Sequence, residues 1–196
     1  MRSRHRATLL LNPAVLLLVL ACLGFPFIAV SCEGPKGTIR ADYSGWDMVV
    51  GGKPEYVGMR PGDVAAGDDT MSPQPLAVLT VVVLVIGALL VVLPRMTSLM
   101  WAIVAAEAAL LLILNQFLVR ERIISHLEQN TSFGETAGGV AGLVKTRHGF
   151  WISLALLLGL FLYNAVTAAI SVVDRREQPT RRLVGGDRPG DPDRAL

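Results

Sequence analysis

The run WAIVAAEAALLLILNQF places one carboxyl side chain, Glu107, in the middle of an otherwise apolar stretch. A charged side chain at the centre of a bilayer costs roughly 2.5 to 3.5 kcal/mol on insertion scales, so Glu107 must face a bundle interior, meet a donor or be neutralised. Candidate partners occur at helical spacing in a later apolar run. Asn164, Thr167, Ala168 and Ser171 fall at i, i+3, i+4 and i+7 and form one stripe of polar and small side chains, with Tyr163 beside it. Two chemistries fit this pattern. Glu107 carries out a proton or cation step, or it is a hydrogen-bonded acid that holds two helices together. The second needs fewer parts, because a transport pathway usually shows more than one ionisable residue inside the membrane.

Outside the apolar runs, the candidate interaction residues are Cys32, Trp46 and Asp47. In SGWDMVVGG, Ser44 reads as the N-cap of a helical turn, Asp47 as the acid of a capping box, and Gly51 with Gly52 as the stop. Trp46, Met48 and Val49 then form the apolar side of a small extracytoplasmic cap. TIRADY, at 38–43, alternates as a short strand does. Asp68 and Asp69 lack the spacing of a calcium loop, and His126 and His148 lack a third ligand, so no metal is assigned. No phosphate-binding glycine loop, G-x-S-x-G elbow or H-E-x-x-H occurs, so neither a cofactor nor an enzymatic activity is expected.

These residues need a membrane frame to position them. The chain is 52% hydrophobic and 17% charged, with mean hydropathy +0.51, which is too apolar for a soluble domain of its size. Four runs approach the ~20 residues that a 30 Å hydrocarbon core requires. They are 7–32, 76–93, 96–119 and 150–173, separated by loops at 33–75 and 120–148 and flanked by a terminus at 1–6 and a tail at 174–196. Continuous apolar runs of this kind suit helices rather than barrel strands. The expected fold is an all-α membrane protein: a four-transmembrane-helix bundle with a small irregular extracytoplasmic cap.

Arginines cluster before the first run, at Arg95 between the second and third, and after the fourth, which puts both termini in the cytoplasm of a plasma-membrane protein. Arg120, Arg122, Lys145 and Arg147 on the outer side run against that bias. MRSRHR followed by an apolar run imitates a secretory signal, and AVSC imitates a lipidation site at Cys32. The apolar run before Cys32 is about 25 residues, long enough to be retained as a helix. Cys32 is then a free thiol at the outer interface. If both cysteines lie on that helix, Cys22 and Cys32 are about 15 Å apart, too far for a disulfide. VRERIISHLEQN extends the third helix past the membrane, with Ile123, Ile124 and Leu127 at helical spacing. The Arg- and Pro-rich tail cannot bury a core and is expected to be disordered, with DRREQPTRR held near anionic lipid.

PFIAVSCEG, YSGWDMVVGG and HGFWISLALLLGL together resemble a group of uncharacterised bacterial tetraspan membrane proteins. Its members are similar in a first loop of the form S-C-x-G then S-G-x-D, and in a G-F/L-W opening of helix four. The resemblance covers the first helix, its loop and the fourth helix. It implies a four-helix topology and gives no catalytic role to Cys32, Ser44, Gly45, Asp47 or Gly149. The expected function is a structural or accessory subunit that meets membrane lipids and other membrane proteins, or further copies of itself, through its outer loops. The alternative is a small transporter or channel component that uses Glu107. No nucleic-acid partner follows from the charge balance of +2.

Overall fold

A computed structural model of the chain describes residues 2–34, 37–58, 70–90, 97–130 and 142–184, with side-chain environments over 11–31, 40–58, 70–90, 97–127 and 142–173. In order, the elements are α1 (Arg2–Cys22), β1 (Pro26–Gly34), β2 (Gly37–Ser44), α2 (Gly45–Val50), β3 (Glu55–Val57), α3 (Pro75–Leu89), α4 (Ser98–Asn130), β4 (Val144–Thr146) and α5 (His148–Val184). The structure is mostly helical, but it also contains a four-stranded antiparallel sheet in the order β3-β2-β1-β4.

The four long helices pack as a ring. α1 lies against α3 and α5, α3 against α4, and α4 most extensively against α5. Leu16, Val19, Leu84, Ala105, Ala108 and Leu157 are fully buried between them. Small side chains set the spacing: a Cβ on Gly87 would lie 2.8 Å from Val104 and 2.9 Å from Leu16. The outer faces of α4 and α5 are apolar too, with Ile103, Leu110, Phe117, Leu162, Val166 and Ile170 all exposed. Ser98–Leu127 and His148–Val173 are long and apolar enough to cross a membrane. In the second of these, only 17% of the most apolar window is buried, unlike the core helix of a soluble domain. Leu11–Cys22 and Pro75–Leu89 are shorter apolar helices.

The first apolar run departs from expectation. Instead of one helix over 7–32, it is helix to Cys22 and strand from Pro26. Pro13 is carried inside α1, but Pro26 follows Gly24, a poor helix former, by two residues; it has no N–H to continue the ladder and restricts Phe25 to extended backbone, and the helix ends before the pair. The last turn tightens, with Gly24 N–H on the Ala21 carbonyl and Phe25 N–H on the Cys22 carbonyl, both at 3.0 Å. Cys32 is therefore a strand residue opposite Ile39, not a helix end. The cap is likewise regular rather than irregular, because β1 pairs along its length with β2, the strand expected from TIRADY.

The sheet joins the bundle through main-chain bonds. Trp46 N–H donates to Leu23 O at 3.1 Å, Gln74 N–H to Met48 O at 2.7 Å and Arg147 N–H to Phe27 O at 2.8 Å. Gly149 is held so close to β1 that a Cβ would sit 2.6 Å from Pro26 O, closer than real Cβ atoms come. α1 and α4 end at the sheet while α3 and α5 begin there, so the N-terminus of α1 and the C-terminus of α5 point to the opposite end.

α4 runs past the apolar span to Asn130, as its periodicity predicts, and Ile123, Ile124 and Leu127 pack on the core. α5 continues to Val184, so the first part of the tail at 174–196 is helical rather than disordered. Adding a residue to an existing helix costs far less than nucleating one, which the composition of the tail alone does not reveal. The Asp68–Asp69 pair lies outside the described residues, as do 136–141 and 185–196.

Candidate functional site

α4 and α5 diverge at the end away from the sheet and leave a groove of about 840 Å³. Its walls run from Thr97, just before α4, to Leu110 on that helix and from Phe161 to Val172 on α5. Ala102, Ala106, Ala165, Ala168 and Ala169 leave the space that larger side chains would fill, and Glu107 is the one acidic group in the lining. Nine residues separate Glu107 from the start of α4 at Ser98, about 14 Å at 1.5 Å per residue. Another nine lead to Gln116, whose Nε2 donates to Thr146 Oγ1 of the sheet at 3.1 Å. Glu107 is thus midway along the apolar part of α4.

Its surroundings differ from the expected ones. Glu107 is exposed on the outer side of the bundle, and no hydrogen bond or ion pair engages it among the described residues. Asn164, expected as its partner, turns instead to α1. Asn164 Nδ2 donates to Asn12 Oδ1 at 3.1 Å and to Leu160 O at 2.9 Å, and Asn12 Nδ2 donates to Asn164 Oδ1 at 3.3 Å. Both amides are buried. Thr167 is exposed and donates back to Tyr163 O at 2.8 Å; Ser171 does the same to Ala168 O at 2.7 Å. Of the sequence stripe, only Ala168 and Ser171 line the groove with Glu107.

The outer candidates separate in the same way. Asp47 is used locally: Ser44 N–H and Ser44 Oγ donate to its carboxylate at 2.8 and 2.6 Å, and its own N–H donates to Ser44 Oγ at 3.1 Å, completing the expected capping box. Gly51 then ends α2 with φ +77°, a backbone state suited to glycine. Met48 is buried against α4, where Asn115 Nδ2 approaches its sulfur at 3.7 Å. Trp46, whose N–H donates to Leu23 O where cap and bundle join, stays 39% exposed. For Cys32, only the backbone position in β1 is described.

Two further features were not foreseen. Asp42, on β2, is buried and pairs with Arg40 at 2.7 Å, with Arg147 3.8 Å away beyond β4. Asn12 is the other. Its signal was present, since LLLNPAVLLL sets an amide in an apolar run just as Glu107 sets an acid. Among the described residues, no three His, Cys, Asp or Glu side chains converge as a metal site would need.

Comparisons with protein-family models, with characterised proteins and with solved structures find no match. The functional reading therefore rests on the geometry of this chain.

Proposed function

We propose that this chain is a non-enzymatic, multi-pass protein of the plasma membrane that serves as a structural or accessory subunit and meets other membrane proteins. The observation that carries the reading is the contrast in how its polar groups are used. Asp47, Asn164, Asn12 and Asp42 are all bonded within the chain, whereas Glu107, an ionisable group in an apolar run, faces outward with no partner among the described residues. A polar group that a membrane helix turns toward lipid calls for a partner from outside the chain.

The four-span topology belongs to this proposal. α1 has 21 residues from Arg2, about 31 Å of helix, and α3 has 15, about 22 Å, which local thinning of the bilayer accommodates. The sheet lies outside, and the arginine-bearing ends of α1 and α5 lie in the cytoplasm, as the positive-inside bias requires. A transport path lined by Glu107 fits less well. The bundle interior beside α4 is filled by Leu16, Leu84, Ala105, Ala108 and Leu157, and Glu107 does not point into it.

The test is purification of the tagged chain at native abundance in mild detergent, with intact mass spectrometry of the chain and of whatever accompanies it. A full-length chain bound to a membrane partner in fixed stoichiometry supports the proposal. A full-length chain that arrives alone counts against it. A mass that begins at Cys32 with added lipid refutes the retained first helix.

A further inference from the structure

We propose that the groove between α4 and α5 receives a transmembrane helix of another protein carrying a lysine or arginine at the depth of Glu107. The inference rests on the accessory reading and names the partner that reading requires. A carboxyl group on the lipid face is costly at mid-bilayer depth, and pairing with an opposite charge is the usual remedy. This chain cannot supply the cation from its own apolar runs: 7–32, 76–93, 96–119 and 150–173 contain no lysine, arginine or histidine. A second copy would offer another acid at the same depth, and a lipid chain would offer no charge.

The shape of the groove also favours a helix. From Thr97 to Leu110 its wall is 13 residue steps long, about 20 Å, or between three and four helical turns. The alanines along it permit the close backbone approach by which membrane helices associate. Ala106 and Ala169 are exposed in the groove beside Glu107, so an incoming helix would meet small side chains around the acid.

The experiment uses the full chain, labelled with a donor dye on its C-terminal tail, in phosphatidylcholine vesicles. The probes are acceptor-labelled synthetic 23-residue leucine–alanine helices, identical except for lysine, leucine or glutamate at the midpoint. The lysine peptide should associate about tenfold more strongly than the leucine peptide, the size expected for one polar contact between membrane helices. Glu107→Leu should abolish that preference, and Glu107→Lys should transfer it to the glutamate peptide. Ala106→Leu and Ala169→Leu, which fill the groove and leave Glu107 in place, should weaken association with the lysine peptide. Variants are compared at equal helical content by circular dichroism.

Equal association of the lysine and leucine peptides overturns the inference, as does a lysine preference that survives Glu107→Leu. Association of two copies without peptide, lost on Glu107→Leu, also overturns it and assigns the groove to self-assembly. The two proposals fail separately. A stoichiometric native partner held through the sheet, with no lysine preference in vesicles, removes the groove inference alone. A lysine preference in a chain that always purifies alone removes the accessory reading.

Discussion

Asn164 and Glu107 stand on neighbouring helices, each a polar side chain in an apolar run, and the fold treats them in opposite ways. Asn164 turns inward and exchanges hydrogen bonds with Asn12, so both amides are buried and satisfied. Glu107 turns outward into an open groove and finds no partner within the described chain. An amide carries donor and acceptor together, so two amides can satisfy each other; a carboxylate only accepts and needs a donor, which none of the described residues gives Glu107. The first site is used within the fold, and the second is the one proposed above for association; removing each group in turn tests that division.

The largest loss should come from Asp42, whose Oδ2 accepts from Arg40 while its Oδ1 has Arg147 at 3.8 Å. Asp42 is 7% exposed, and its partners Arg40 and Arg147 are 35% and 28% exposed, so the cluster is shielded but not dry. Asp42→Ala should lower stability by about 1.5 to 3 kcal/mol, the range for hydrogen bonds to charged groups. Denaturant unfolding in detergent, followed through tryptophan fluorescence, measures it. A loss under about 0.5 kcal/mol, the scatter of surface substitutions, would mean that the ion pair does not hold β2 to the chain beyond β4.

Next in size is the amide pair. Asn164→Leu leaves Asn12 buried without its partner and should cost about 1 to 2 kcal/mol, as should Asn12→Leu. The double substitution should cost less than the sum of the two, because it removes both polar groups together. A double-mutant cycle gives the coupling directly. Additive losses would show that the two amides act independently and would remove half of the contrast with Glu107.

The parts of this architecture that were legible in the sequence are those written in local signals. The capping box of α2, its glycine stop, the strand in TIRADY and the continuation of α4 to Asn130 all follow from short-range spacing, and the structure has each of them. The end of α1 is hidden in the sequence by the apolar length of 7–32: Pro13 lies inside the helix, and it is Pro26 together with Gly24 that marks its end. β4 was not foreseen, since three residues give no periodicity and Val144–Thr146 is a strand only because β1 offers Ile28–Val30 to pair with. At the site, the position of Glu107 within an apolar helix was plain. Its direction was not: helical spacing within α5 shows which residues share a face, but not which neighbour that face meets. Asn12 lies 152 positions from Asn164, and no pattern within either helix connects them.

Two smaller effects close the series. Ser44→Ala removes one side of the capping box and should cost about 1 kcal/mol, with the loss confined to α2 and detected as faster amide exchange around Trp46. Glu107 should give the smallest change of all. No bond among the described residues is lost in Glu107→Leu, so its unfolding free energy should match the parent chain within about 0.5 kcal/mol when the protein is measured alone. The same substitution should also ease insertion of α4, because it removes a costly group from mid-bilayer. A clear destabilisation of the isolated chain would show that Glu107 is already satisfied from within, which would place it beside Asn164 as a folding residue and leave the groove without its argument. If instead the isolated chain is unaffected while its binding to a lysine-bearing helix is lost, the acid has been kept against its insertion cost for the sake of a partner.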